Sequence, residues 1–92
     1  MTKKIAHIDD DPDIRDTVKR VLKMHGYQVD SYHTSSDFIN SLDDPEKIPD
    51  LAILDVMVES MDAGLTTYIK LHERFPSMHA IFMTSLGDTI LP

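Results

Sequence analysis

The sequence contains no cysteine and no tryptophan in its 92 residues. Without cysteine the chain can form no disulfide, and it offers neither a thiolate nucleophile nor a Cys-ligated metal site. Any metal must therefore be held by oxygen or imidazole. The sequence also lacks an apolar run long enough for a membrane span or a secretory signal. We therefore expect a cytoplasmic protein that does not insert into membranes.

Basic residues are few as well, with nine Lys and Arg against sixteen Asp and Glu and a formal net charge of -7. Because phosphate backbones and anionic lipids repel such a chain, we expect no direct binding to nucleic acid or to membranes. Hydrophobic residues make up 41% and charged residues 27% of the sequence, which is ordinary for a globular protein. We predict that residues 1–92 form one small domain.

Short apolar segments alternate with amphipathic segments along the chain. The predicted strands cover residues 3–8, 27–32, 51–54 and 80–83. The first helix is predicted to begin at Pro12 and to end at Gly26, the second to be capped by Ser35 or Ser36, and the third to follow a loop over residues 56–63. Because the connections are too long for hairpins, the pattern predicts an α/β fold with a parallel sheet and helices on both faces.

Polar side chains follow three of the predicted strands. Asp9 and Asp10 follow the first strand, Asp55 the third and Thr84 the fourth. In an open parallel sheet these carboxyl ends meet at one edge, which is where ligands bind. Clustered carboxylates repel one another, and Mg²⁺, which prefers oxygen ligands, would relieve that repulsion. One carboxylate could then attack phosphorus to give an acyl phosphate, and the Thr84 hydroxyl could donate a hydrogen bond to it.

Three segments, IAHIDDDPDIR, LAILDVMVESMD and AIFMTS, resemble in order and spacing the motifs of receiver domains of two-component response regulators. The resemblance implies a flavodoxin-like, doubly wound sheet with strand order 2-1-3-4. It implies that Asp55 accepts a phosphoryl group from a sensor histidine kinase or a phosphotransfer protein. It further implies that Asp9, Asp10, Asp55 and the carbonyl of Met57 bind Mg²⁺, and that Thr84 is the switch residue that binds the phosphate and alters protein contacts.

The chain departs from the family pattern at two places. Glu59 and Ala63 stand where family members commonly have proline and glycine. A fifth strand, with the lysine that pairs with the phosphoryl group, and a fifth helix have no counterpart, and no lysine follows Lys70. We therefore expect a domain that is incomplete at its carboxyl end, exposes the edge of its fourth strand and forms homo-oligomers through that edge. The alternative hypothesis is a truncated or degenerate receiver that serves as a non-phosphorylated dimerisation or interaction module.

Simpler interpretations apply to several polar residues. We predict that Asp11 and Asp13 cap the first helix or are solvated there. Thr84 and Ser85 could equally cap a following helix. The spacing of Asp9 and Asp11 resembles the nucleophile motif of haloacid-dehalogenase-like phosphatases, which stays open as a remote enzyme alternative to a non-enzymatic switch.

His7 interrupts an otherwise apolar strand. Intact relatives would bury this strand, so we expect His7 to be tolerated because its face of the sheet lacks the last helix. The remaining histidines are scattered and form no convincing pair of metal ligands.

Overall fold

The structure, a computed structural model, describes residues 3–55 and 61–83. In these ranges strands and helices alternate along the chain: β1 (Lys4–Ile8), α1 (Pro12–Met24), β2 (Gln28–Tyr32), α2 (Ser35–Ser41), β3 (Leu51–Asp55), α3 (Met61–Arg74) and β4 (His79–Met83). A short 3-10 helix at Pro45–Lys47 precedes β3. Within the same ranges, no helix is long and apolar enough to cross a membrane.

All pairings in the described sheet are parallel, and the strand order is β2-β1-β3-β4. Ile8 lies opposite Tyr32 of β2 and Leu54 of β3, and Asp55 lies opposite Met83 of β4. Each connection between strands that are consecutive in the chain contains a helix, as a parallel sheet requires. The predicted α/β class and the 2-1-3-4 order are confirmed.

The hydrophobic core lies on the side of the sheet that α2 and α3 cover. Alternate strand residues point to this side, because successive side chains of a strand face opposite ways. The buried members of the core are Ala6, Ile8, Phe38, Leu42, Ala52, Leu54 and Leu71. The ring of Phe38 packs at 5.3 Å from the ring of Tyr32, which anchors α2 on β2.

The opposite side of the sheet carries α1, which packs on β1 and β2. None of the α1 residues is fully buried, and Ile14 and Val21 are 41% and 46% exposed. On the same side of the sheet, Ile53 lies between His7 and Ile81, and Ile81 of the last described strand is 50% exposed. Apolar surface is therefore accessible beside α1 and β4.

The expectation that His7 lies on an uncovered face is wrong. His7 is 0% exposed, because β1 is an interior strand between β2 and β3 and α1 packs on it. Being interior is a property of the strand order, which the local sequence around His7 does not reveal.

The helix ends agree with the sequence in α1 and differ in α2 and α3. Pro12 opens α1, and Gly26 follows it with a φ of 89°, a left-handed conformation that glycine adopts without strain. The cap of α2 is Thr34, whose hydroxyl accepts from the amide of Asp37, rather than Ser35 or Ser36. Helix α3 begins at Met61 instead of after residue 63, since Met and Ala favour helix and Asp suits a first turn.

Matched substitutions test the position of the core. Ile8→Val removes one methylene from a side chain that is 1% exposed, and Ile81→Val makes the same change where the side chain is 50% exposed. We expect Ile8→Val to lower the free energy of unfolding by about 1 kcal/mol and Ile81→Val to change it by less than about 0.5 kcal/mol. Urea unfolding followed by circular dichroism measures both, and equal losses would contradict this assignment of the core.

Candidate functional site

The residues between β1 and α1 form an acidic loop, defined here as residues 9–11, at the carboxyl end of β1. Strand β3 ends at Asp55 beside this loop. Ile8 at the end of β1 lies opposite Leu54, so Asp9 directly follows β1 at the level where Asp55 ends β3. The parallel sheet thus brings two residues that are distant in sequence to one edge.

Asp9 is the buried member of the acidic loop, with 2% of its surface exposed. Its backbone amide donates to the carbonyl of Tyr32 at 3.1 Å, which continues the pairing of β1 with β2 beyond the strand end. Its Oδ1 atom accepts a hydrogen bond from the amide of Asp11 at 3.0 Å. Its Oδ2 atom lies 3.9 Å from Nε2 of His7. The buried carboxylate is therefore surrounded by polar groups of the loop and of β1.

Asp10 and Asp11 play different parts in the loop. Asp10 is exposed at the surface. The Oδ1 atom of Asp11 accepts from the amides of Asp13 at 2.9 Å and Ile14 at 3.4 Å, so Asp11 is the N-cap of α1. This confirms the prediction that Asp11 caps the helix, and it leaves Asp9 and Asp10 as the two carboxylates of the loop that do not cap α1.

Arg15 also contacts the loop, and it is not among the site residues predicted from the sequence. Its Nη1 atom donates to the backbone carbonyl of Asp9 at 2.6 Å and lies 3.3 Å from Nδ1 of His33. The sequence carries one signal for this contact, a basic residue one turn into the helix that follows the acidic loop. That signal does not say which carbonyl the long side chain reaches, because this depends on how α1 packs against β1.

The donor atoms of the loop fit a small, hard divalent cation. Carboxylate oxygens are the ligands that Mg²⁺ prefers, and an ionised carboxylate that accepts one hydrogen bond keeps further lone pairs for a metal. Among the side chains that the structure describes, which do not include those of Asp55 and Asp62, no group of three or more His, Asp or Glu residues could by itself hold a metal ion. Of the predicted metal ligands, the described side chains therefore include two, Asp9 and Asp10.

The other predicted site residues lie wholly or partly outside the described part of the chain. The backbone of Asp55 is the last residue of β3, but the position of its side chain is not among the described features. Met57 and Thr84, together with Glu59 and Ser85, lie outside the described residues. Their predicted roles therefore remain predictions.

Comparison with known proteins assigns the family. Residues 5–91 match the family model of the response regulator receiver domain. This chain belongs to that family of signalling modules.

Among curated proteins, the transcriptional regulatory protein GltR of Pseudomonas aeruginosa is 36% identical over 87 residues, which cover 94% of this chain. The regulatory protein VanR of Enterococcus faecium is 36% identical over 89 residues, which cover 97% of this chain. The chain spans only 35% of the length of GltR and 36% of the length of VanR.

Solved structures share the fold. The BeF3-activated receiver domain of DrrB, a Thermotoga maritima protein, is 30% identical with a TM-score of 0.78, over 96% of this chain and 70% of that chain. The complex of the histidine kinase ThkA with the response regulator TrrA matches with a TM-score of 0.82 at 24% identity, over 99% of this chain and 76% of that chain. At that identity the second match shows the fold alone.

The cap of α1 provides a test of the loop geometry. Asp11→Ala removes the oxygen that accepts from Asp13 and Ile14, and we expect it to lower the free energy of unfolding by about 1 kcal/mol. Asp11→Asn removes the same charge but keeps an accepting oxygen, so it should cost only a few tenths of that amount. Thermal and urea unfolding of both variants measure the difference. Equal losses would mean that the charge of Asp11, and not its hydrogen bonds, stabilises the helix.

Proposed function

We propose that this chain is a phosphorylation-dependent signalling switch. It accepts a phosphoryl group on Asp55 from a phosphohistidine of a sensor histidine kinase or a phosphotransfer protein, and it then changes its protein contacts through Thr84. One observation carries the proposal: the pairing of β1 with β3 sets the acidic loop beside the end of β3, where Asp55 stands. In a chain of the receiver family, this is the arrangement that phosphoryl transfer to an aspartate needs.

The chemistry requires one nucleophilic carboxylate and a way to offset negative charge. An oxygen of Asp55 forms a bond to phosphorus while the bond from phosphorus to the donor nitrogen breaks, and the donor imidazole leaves. Asp9, Asp10, Asp55 and the carbonyl of Met57 would hold Mg²⁺, which when bound neutralises the oxygens of the transferring group. The hydroxyl group of Thr84 then donates a hydrogen bond to the phosphate on Asp55.

The partners of such a switch are proteins. With a formal net charge of -7, we expect no direct contact with nucleic acid or with anionic membranes, and we place the chain in the cytoplasm. If this chain belongs to a transcriptional regulator, as its relative GltR is named, the DNA contacts would come from another part of that protein. The chain acts as a switch and not as a metabolic enzyme.

A second candidate function is a non-phosphorylated interaction module that self-associates. Glu59 and Ala63 replace the residues common in the family. The accessible apolar side chains Ile14, Val21 and Ile81 supply a surface that association could cover. In this alternative the chain dimerises through the β4 edge whether or not Asp55 is phosphorylated.

Phosphorylation is tested by intact-mass analysis after incubation with acetyl phosphate and Mg²⁺. We expect the wild type to gain one phosphoryl group that is labile to hydroxylamine, as an acyl phosphate is. Asp55→Asn should gain none, because the amide is not a nucleophile of this kind, and chelation of Mg²⁺ should abolish the gain in the wild type. A folded wild type that gains no mass would favour the interaction module instead.

Self-association is tested by sedimentation velocity over a concentration series. Ile81→Lys places a charge on the β4 surface, and Ile69→Lys makes the same change on α3, where the side chain is 54% exposed. We expect Ile81→Lys to raise the dissociation constant of the oligomer at least about tenfold and Ile69→Lys to leave it unchanged. A wild type that stays monomeric at high concentration would contradict association through β4.

A further inference from the structure

Arg15 joins three parts of the fold at the acidic loop. The residue sits in the first turns of α1, and its half-buried side chain reaches back to the end of β1 and across to the residue that follows β2. Its Nη1 atom donates to the carbonyl of Asp9 at 2.6 Å and lies 3.3 Å from Nδ1 of His33. A single nitrogen with two hydrogens can serve both neighbours at once.

The contact acts on the peptide that links Asp9 to Asp10. The amide of Asp9 is held by the carbonyl of Tyr32, and the carbonyl of Asp9 is held by Arg15, so the backbone is tied on both sides of this residue. The carbonyl of Asp9 and the amide nitrogen of Asp10 belong to the same planar peptide group. When Arg15 fixes the orientation of this peptide group, it also fixes the position of Asp10 relative to the buried carboxylate of Asp9.

We propose that Arg15 is a positioning residue for the divalent cation site, and that His33 orients Arg15 for this role. The proposal rests on the proposed function, in which Asp9 and Asp10 are metal ligands. Residues that hydrogen-bond to the ligand-bearing groups of a metal site orient those groups, and their loss typically weakens metal affinity by tenfold or more. Arg15 acts in this way through the backbone of Asp9 and not through its carboxylate.

A simpler role for Arg15 would be to offset the charge of the clustered acids. The two roles predict opposite effects on cation binding. If Arg15 only supplies positive charge, its removal lowers the repulsion of the incoming cation, and Mg²⁺ binds more tightly. If Arg15 positions the loop, its removal lets the Asp9–Asp10 peptide turn, and Mg²⁺ binds more weakly.

The test compares three variants by calorimetric titration with MgCl₂. Arg15→Met removes the charge and the donors, and we expect it to weaken Mg²⁺ binding about tenfold. Lys19→Met removes the same charge one turn later in α1 and should leave binding unchanged or slightly tighter. Arg15→Lys keeps the charge and a donor, and it should recover most of the affinity. If the Arg15→Met variant binds Mg²⁺ as tightly as the wild type or more tightly, the proposal is overturned.

A second measurement needs no metal. In the metal-free protein, we expect the ¹⁵N order parameters of the Asp10 and Asp11 amides to fall in Arg15→Met from about 0.85 to below about 0.6. They should not fall in Lys19→Met. If the wild type binds no Mg²⁺, the proposed function fails, and unchanged order parameters would then overturn the positioning role independently.

His33→Ala keeps the experiment decisive if Arg15→Met does not fold. His33 is exposed, so its truncation should leave the fold intact while it removes one neighbour of the guanidinium. We expect the same direction of change as in Arg15→Met, with a smaller loss of Mg²⁺ affinity. Unchanged affinity and unchanged order parameters in a folded His33→Ala variant would overturn the part assigned to His33.

Discussion

Strand β1 pairs in parallel with β2 on one side and with β3 on the other, and this pairing positions both the core and the acidic loop. Both edges of β1 are hydrogen-bonded and both of its faces are covered, so every residue from Ile5 to Asp9 is buried. Side chains that point to one face form the core with α2 and α3, and those on the other face meet α1. Because all strands run in one direction, their carboxyl ends share an edge, and the acidic loop begins where β1 leaves the sheet.

The acidic loop combines a structural task with a chemical one. Asp11 begins α1 by capping its first amides, and the positive end of the helix dipole lies close to the neighbouring carboxylates. The amide of Asp11 in turn donates to Asp9, which offsets part of the cost of burying that carboxylate. The residues that start the helix therefore also hold the group proposed to bind a cation. A substitution in this loop therefore changes both the free energy of unfolding and the geometry of the site. The exception is a substitution that removes a charge but keeps the hydrogen bonds.

Local signals in the chain were strong enough to predict most of the elements and the edge where polar residues gather. Pro12 and Gly26 mark the ends of α1 because proline lacks an amide hydrogen and glycine tolerates a positive φ. The cap of α2 was missed, since Thr34, Ser35 and Ser36 all carry a hydroxyl suited to the task and only the backbone geometry selects one. The contact of Arg15 with Asp9 was missed for a related reason, because a flexible side chain has many partners within reach.

The amino-acid sequence is enough to predict the alternation of strands and helices, the acidic start of α1 and the family resemblance. Each of these depends on residues close together in the chain or on motifs in a given order. Three features become visible only in the folded chain: His7 is buried, Asp9 is the enclosed carboxylate while Asp10 is exposed, and Arg15 donates to the carbonyl of Asp9. This is because burial and long side-chain contacts depend on how α1 and the acidic loop pack against the strands beside them. The strand order follows from the family resemblance, whereas this packing depends on the whole sheet and not on any one segment.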